Sequence, residues 1–252
     1  MKNLLIIAFL CLGFATQAQT YTGPRSIALS QDLLYALKMN ASHEEFLKEL
    51  QGYSMEKLAQ ELQSDVQKRV YWINIYNAMV QLKLEALPEG EFSKRKFFYK
   101  KDIEIAGETM SLQQIEQGVL RNKKALFLNG SFPRLFNPSW VNSFQQAETD
   151  YRIHFALNCG AVSCPAIKFY EVEDYEIQME QSASNFLNQT TTIDGNSVEV
   201  STILKWYKHD FGGNEGLKKL LEKYDLIPAS SIEEIQFASY DWTIKAKNYS
   251  DE

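Results

Sequence analysis

Four features that would assign this sequence to a common class are missing. It has no internal repeats and no long low-complexity segments, so it does not follow a repeat architecture. Acidic side chains (32) outnumber basic ones (26) and the net charge is -6, which argues against nucleic acid as the main partner. The paired C-x2-C and H-x3-H spacing of a strong zinc signature is absent. No apolar run reaches the roughly 20 residues of a membrane-spanning helix, so an integral membrane protein is not expected.

The sequence does contain enough apolar material for a sizeable core. Its 252 residues are 45% hydrophobic and 13% aromatic, and this length suits one domain or one domain with an appendage. The order of its patterns predicts a single α+β domain, with a mixed or antiparallel sheet packed by helices and an N-terminal helical extension. The predicted boundaries are a signal peptide at residues 1–18, the extension at 19–64, the domain at 65–246 and a tail at 247–252.

The first 18 residues have the composition of a secretory signal peptide. Met1-Lys2 gives a short positive region, an apolar run of 11 residues extends from Leu4 to Phe14, and Thr16-Gln17-Ala18 forms a small-residue cleavage site. We therefore expect an exported protein, periplasmic or extracellular, whose mature chain keeps two of the three cysteines.

The most informative stretch is Arg152–Pro165, which brings the imidazole of His154 close in sequence to both remaining thiols. Cys159 and Cys164 are spaced C-x4-C, a loop short enough to close as a disulfide if Gly160 lets the backbone turn sharply. In an oxidising compartment such thiols tend to pair, and a bridge of this size would stabilise the fold by roughly 2 kcal/mol. The sequence leaves open whether the pair is a structural bridge or contains a nucleophile.

A long helix is predicted to carry two asparagines at buried positions. Ser64 and Gln67 form a capping box that opens a helix to about Leu87, and apolar residues at helical period share one face with Asn77. Asn74 lies one turn earlier and points to nearly the same side. A buried amide costs about 1–3 kcal/mol unless it is hydrogen-bonded. Both side chains should therefore bind backbone groups of a neighbouring segment, which is the favoured interpretation, or a substrate.

A carboxylate is predicted at the margin of the core. Ser111 to Gln114 cap a short helix that extends to about Arg121, and Glu116 falls on its inward face. Burial would raise the pKa of an unpaired carboxyl there, so Glu116 should meet a cation, a hydrogen-bond donor or a metal. The arginines Arg121 and Arg152 are the expected structural partners.

Local patterns predict the remaining structure. The segment Arg152–Leu157 alternates like a β-strand, with His154 on its less apolar face. The basic residues Lys94–Lys96 and Lys100–Lys101 form a run that is usually a solvated edge, and an anionic ligand is the less favoured interpretation. The other predicted elements are a capping box at Ser42–Glu45, a hairpin over Asp102–Glu108, a helix over Asp174–Leu187, a hairpin turning at Asp194-Gly195, a helix over Asn214–Tyr224 and a strand over Ile235–Trp242.

Five motifs resemble those of a known family. They are Trp72–Asn77 (WINIYN), Ser111–Glu116 (SLQQIE), Arg152–Pro165 (RIHFALNCGAVSCP), Trp206-Tyr207 with Asp210–Gly212, and Tyr240–Trp242 (YDW). In their order, and over roughly Val66 to Lys245, the chain resembles the domain-of-unknown-function family numbered 547. The resemblance implies no reaction. The chain departs from the family pattern at Gln117, where many members have histidine and which therefore cannot be an essential general base, and at Lys245, which replaces asparagine and is doubtful as a site residue.

The first function that fits these residues is that of a hydrolase or acyl-transfer enzyme. In this hypothesis a thiolate of Cys159 or Cys164, activated by His154 and oriented by Glu116, attacks an acyl group. The candidate substrate-binding residues are Asn74, Asn77, Arg152 and Asn158.

The alternative is a non-catalytic domain that binds an extracytoplasmic peptide or glycan, with Cys159 and Cys164 as a structural disulfide. A zinc ion held by His154, a cysteine and Glu116 is a weaker interpretation, so no metal and no cofactor are predicted. Under both hypotheses the ligand is a small molecule, a peptide or a glycan, and the sequence does not identify it.

Overall fold

The computed structural model describes residues 23–88, 90–122, 138–227 and 234–250. The predicted signal peptide at residues 1–18 lies outside these ranges. Within them, no helix is both long and apolar enough to cross a membrane.

Helices form most of the described structure. The α-helices are α1 Arg25–Lys38, α2 Glu44–Gly52, α3 Met55–Glu61, α4 Asp65–Glu85, α5 Lys94–Tyr99, α6 Tyr175–Thr190, α7 Ile203–Trp206 and α8 Gly213–Lys223. A π-helix spans Gln114–Leu120, and 3₁₀ helices span Ser139–Phe144 and Tyr151–Phe155. The strands are β1 Ile103–Ile105, β2 Glu108–Met110, β3 Thr192–Asp194, β4 Ser197–Val200 and β5 Glu234–Phe237.

The central element of the larger hydrophobic core is α4. Its start has the predicted capping box, in which Ser64 accepts the amide of Gln67 and the Gln67 side chain accepts the amide of Ser64. Every residue from Val70 to Gln81 is buried, because α1 and the π-helix pack on α4. The single apolar face predicted for this helix is therefore too narrow.

The N-terminal helices share this core with the rest of the domain. Leu33 of α1 and Leu58 of α3 are buried in the same cluster as Trp72 of α4. At the other end of the chain, the amide of Lys247 donates to Gln81 Oε1 at 2.7 Å. The predicted extension thus packs on α4 through α1, and Lys247 of the predicted tail bonds α4.

The strands form two small sheets within the described residues. β1 and β2 pair as an antiparallel hairpin, whose turn places Ala106 and Gly107 at φ angles of 52° and 79°. β3 and β4 pair antiparallel, and β5 joins β4 in parallel, so the second sheet is mixed. Small sheets packed by helices confirm the predicted α+β class.

His154 lies where two hydrophobic cores meet. It belongs to the second 3₁₀ helix, which begins after Asp150, whose carboxylate accepts the amide of Arg152 at 3.0 Å. Ile153 is buried in the larger core, whereas Phe155 is buried in the second core with α6, α8 and β4. The β-strand predicted here is wrong. The alternating apolar residues enter two different cores and do not line one face of a sheet.

Two other predicted boundaries are also wrong. The N-cap of α2 is His43, and no capping box forms at Ser42–Glu45, because the Ser42 hydroxyl donates to Glu44 Oε2 at 2.6 Å. The final strand ends at Phe237 and does not continue to Trp242. The residues that follow β5 instead line a cleft.

Candidate functional site

A cleft of about 310 Å³ opens where α4, α5, α7, the π-helix and the 3₁₀ helix of His154 meet. Aromatic side chains form its wall and a group of polar side chains forms its floor. The lining residues are Tyr76, Phe98, Tyr99, Gln113, Glu116, Gln117, His154, Leu157, Cys159, Ile203, Trp206, Tyr207, Tyr240 and Trp242.

Glu116 is the carboxyl group of the floor, and hydrogen-bond donors surround it. The Tyr207 hydroxyl donates to Oε1 at 2.6 Å, the Gln117 amide donates to the same oxygen at 2.6 Å, and the Tyr76 hydroxyl donates to Oε2 at 3.4 Å. Burial raises the pKa of Glu116, and the hydrogen bond from Tyr207 and the charge of Arg121 oppose the shift only in part. The carboxyl group therefore retains its proton to a higher pH than an exposed glutamate does.

The π-helix presents Glu116 to the cleft. Ser111 and Gln114 form the predicted capping box at the start of this helical segment. The helix then widens, so that the amide of Arg121 donates to the carbonyl of Glu116, five residues earlier, at 2.8 Å. Wide helical turns of this kind are rare and recur at functional sites. The short helix predicted here exists, but its π geometry was not expected.

A buried ion group supports the floor from behind. Asp210 Oδ2 accepts a hydrogen bond from Arg121 Nε at 2.7 Å and lies 2.9 Å from His154 Nε2, which donates because a carboxylate only accepts. Burial alone would raise the pKa of Asp210, but these two partners hold it well below its usual range. The His154 ring stacks on Tyr207 with 3.8 Å between ring centres, so the imidazole and the phenol that binds Glu116 hold each other in place.

The two cysteines lie at disulfide distance beside the wall. Their Cα atoms are 5.8 Å apart, and Gly160, at a φ of +81°, makes the sharp turn that the sequence requires between them. The Tyr240 hydroxyl lies 2.8 Å from Cys159 Sγ and 3.1 Å from Cys164 Sγ. Cys159 lines the cleft, whereas Cys164 is buried behind it and accepts backbone amides from both Cys159 and Ala161.

The four predicted substrate-binding residues do not line the cleft. Asn74 bonds both the carbonyl and the amide of Tyr170. Asn77 bonds the carbonyl of Ala156 and the amide of Asn158, and Asn158 bonds the carbonyl of Pro165. Arg152 pairs with Asp150, Glu176 and Glu180. Asn77 thus fixes the loop of His154 and Cys159 onto α4, and Asn74 fixes the backbone of Tyr170 there, as the favoured sequence interpretation expected.

Glu116 meets hydrogen-bond donors, one of the expected kinds of partner, whereas the two arginines expected as its structural partners bond elsewhere. Arg121 bonds Gln117 and Asp210, and Arg152 lies in a separate ion network. Tyr207, which lines the cleft, and Asp210, which supports His154 from behind it, had no role predicted from the sequence. The only sequence signal that pointed to these two residues was that they lie in motifs resembling the family. The same was true of the wall residues Trp206, Tyr240 and Trp242.

Within the described part of the chain, no group of three or more histidine, cysteine, aspartate or glutamate side chains could hold a metal ion. The side chains that line the cleft offer several kinds of chemical group. These are a carboxyl, an imidazole, phenols, an amide and indole rings.

Comparison with known proteins assigns a family but no activity. No curated protein and no solved structure matches the chain. Residues 49–187 match the family described as "Protein of unknown function, DUF547". The match includes Glu116, His154 and both cysteines, and it ends before Trp206 and the other cleft residues that follow. The chain belongs to this family of proteins of unknown function.

Proposed function

We propose that this protein binds a carbohydrate in the cleft, without forming a covalent intermediate. The observation that carries the proposal is the arrangement of a partly exposed aromatic wall directly beside a buried polar floor. A sugar ring needs both surfaces, since its C–H face is apolar and its hydroxyls require hydrogen-bond partners.

The wall consists of three rings in mutual contact. Trp206 lies 4.7 Å from Tyr240 and 5.8 Å from Trp242, and Tyr240 lies 4.6 Å from Trp242. All three rings are partly exposed. The negative face of an aromatic ring attracts the weakly positive C–H groups of a sugar, and rigid rings lose little conformational entropy on binding.

The floor supplies groups that can bind hydroxyls. Glu116, Gln117 and His154 all line the cleft, and each side chain combines donor and acceptor capacity when Glu116 is protonated. The hydrogen bonds among Glu116, Tyr207 and Gln117 hold these groups in place before a ligand arrives. Such preorganisation lowers the entropic cost of binding.

The cleft favours a glycan over a peptide. None of its described lining residues lies in a strand, so an extended peptide would find no strand edge with which to pair its backbone. Recognition must therefore operate through side chains and ring faces, which suits a sugar.

Two observations favour binding over hydrolysis. Glycoside hydrolysis generally uses two carboxyl groups that flank the scissile bond, and among the described cleft residues Glu116 is the only carboxyl group. The thiolate hypothesis requires a free thiol, whereas the sulfurs of Cys159 and Cys164 face each other at disulfide distance. Residues 1–18 support export as part of the same proposal, because an exported protein meets glycans and an oxidising environment.

Calorimetry with a panel of soluble oligosaccharides tests the proposal. We expect at least one to bind the purified protein, with Trp206→Ala or Trp242→Ala weakening the binding by roughly tenfold or more, as for aromatic contacts at the centre of an interface. The matched control is Tyr35→Ala, an aromatic residue of α1 that is 57% exposed and lies outside the cleft. A panel without any binder, or an equal loss in the control, would contradict the proposal.

Thiol labelling tests the competing enzyme hypothesis. The mature protein, purified without reductant, should show no modification of Cys159 or Cys164 by iodoacetamide in mass spectrometry. Rapid alkylation of one of them near neutral pH would instead favour a reactive thiolate.

A further inference from the structure

Five basic side chains surround Phe98 and Tyr99, two cleft residues, in the sequence. All are exposed, and they belong to α5 or to the two residues that follow it: Lys94, Arg95, Lys96, Lys100 and Lys101. The chain as a whole carries a net charge of -6, so overall composition does not account for a positive patch here. Its position beside the cleft was not evident from the sequence.

Two of these residues share a helix face with cleft residues. Phe98 and Tyr99 line the cleft, and side chains four residues apart lie on the same face of a helix. Lys94 is therefore one turn from Phe98, and Arg95 is one turn from Tyr99. The ammonium of Lys94 lies 3.7 Å from the centre of the Trp242 ring, which places a positive charge directly on the wall.

Little negative charge neutralises these basic residues within the described part of the chain. We call Lys94, Arg95, Lys96, Lys100 and Lys101 the rim. Asp102 forms a salt bridge with Lys100 at 3.5 Å, but no described carboxylate forms one with Lys94 or Arg95. Asp241, next to the wall residue Trp242, is exposed. Its Oδ1 accepts the backbone amide of Thr243 at 2.8 Å. The rim thus combines an ammonium held on an indole ring with an exposed guanidinium that forms no salt bridge with any described residue.

We propose that the ligand is an acidic glycan, with a sugar ring against the Trp206 wall and its carboxylate at Lys94 and Arg95. A guanidinium binds a carboxylate in two parallel hydrogen bonds, and the rim charge attracts anions to the cleft before contact. This inference rests on the proposed carbohydrate binding and adds the charge of the ligand. The floor does not oppose it, because burial favours the neutral form of Glu116.

Calorimetry with a panel of uronate oligosaccharides tests this inference, each measured beside its methyl ester, which keeps the sugar rings and removes the charge. We expect the acid to bind more tightly than the ester, with a preference that declines as salt rises. The double variant Lys94→Gln/Arg95→Gln should lose roughly five- to tenfold in affinity for the acid at low salt and little for the ester.

The matched control is Lys48→Gln/Lys57→Gln, which removes the same charge from α2 and α3. Lys48 is exposed like Arg95, and Lys57 lies over the Tyr53 ring at 4.4 Å as Lys94 lies over Trp242. Neither control residue lines the cleft.

The outcomes separate this inference from the proposed function. Equal affinity for acid and ester, with loss of both in Trp206→Ala, would overturn the acidic ligand and leave carbohydrate binding intact. Binding of neither form, together with no binding of neutral oligosaccharides, would overturn both. An acid preference that the control variant also loses would reflect net charge alone and would likewise overturn the rim assignment.

Discussion

At the scale of single residues, the site depends on a carboxyl group that the fold keeps away from water. Each oxygen of Glu116 receives a phenolic hydroxyl, from Tyr207 on one side and Tyr76 on the other. Its negative form is nevertheless disfavoured, because burial outweighs these hydrogen bonds. A buried glutamate inside a π-helix is costly to maintain, which supports a functional role.

Replacement of Glu116 by glutamine should make folding stability less sensitive to pH. The folded-state pKa of Glu116 is raised, so its favourable contribution is complete below the unfolded pKa of about 4.3 and is lost as pH rises through the folded pKa. The wild-type protein should therefore lose stability relative to Glu116→Gln over that range. Urea unfolding at a series of pH values measures this difference.

The exposed Glu45→Gln serves as the control for that experiment, because it removes the same charge from α2. The free energy of unfolding of Glu45→Gln should change with pH in the same way as that of the wild type. Parallel curves for Glu116→Gln as well would mean that the fold does not raise the pKa of Glu116.

Gly160→Ala should destabilise the protein by about 1–3 kcal/mol. Gly160 has a φ of +81°, and an added Cβ would lie 2.7 Å from Leu84 Cδ1, so the backbone would be strained and the buried Leu84 side chain of α4 would have to shift. In the control Gly52→Ala, the Cβ meets nothing within 4 Å, and the change should stay within about 0.5 kcal/mol. Equal effects in chemical denaturation would show that the loop does not pack on α4 as described.

At the scale of elements, the sequence predicts best where the signal is local. The capping box at Ser64 needs only a hydroxyl and an amide three residues apart, and it forms as predicted. The similar pattern at Ser42 fails because Glu44, one residue earlier than expected, takes the hydroxyl. The strand expected around His154 fails for a different reason, since the sequence does not show that Ile153 and Phe155 enter separate cores.

Ser64→Ala should cost about 1 kcal/mol of stability, because the first turn of α4 loses its side-chain acceptor. The matched change Ser42→Ala removes a serine from a similar sequence pattern that makes no capping hydrogen bond to the helix backbone. It should cost less than about 0.5 kcal/mol. Thermal or urea unfolding distinguishes the two, and a larger loss for Ser42→Ala would contradict the assigned helix starts.

At the scale of the whole molecule, the cleft exists because distant parts of the chain meet. Tyr207 bonds Glu116 across 91 residues of sequence, and Arg121 bonds Asp210 across 89. Glu116 and His154 could be selected from the sequence because a buried carboxyl group and a rare histidine are conspicuous on their own. Tyr207 and Asp210 could not, since neither interrupts a local pattern, and only the packing of α7 and the following turn against the π-helix gives them a role.

We expect a disulfide between Cys159 and Cys164, which lie at disulfide distance, and its reduction should lower stability. We expect a loss of about 2 kcal/mol in urea unfolding with reductant, as the closure of a short loop predicts. The variant Cys159→Ser/Cys164→Ser should have the lower stability without reductant and should not respond to it. A wild-type protein that is equally stable in both conditions would show that the two thiols are not bridged.

The central claim is that a sugar occupies the aromatic wall, and quenching of tryptophan fluorescence tests it most directly. Of the four tryptophans, Trp72 and Trp140 are buried in the core, whereas Trp206 and Trp242 line the cleft. Acrylamide should quench one component of the tryptophan fluorescence. The double variant Trp206→Phe/Trp242→Phe should lack this component. An oligosaccharide that binds in calorimetry should protect that component, whereas unchanged quenching at saturation would show that the sugar binds elsewhere and would contradict this account.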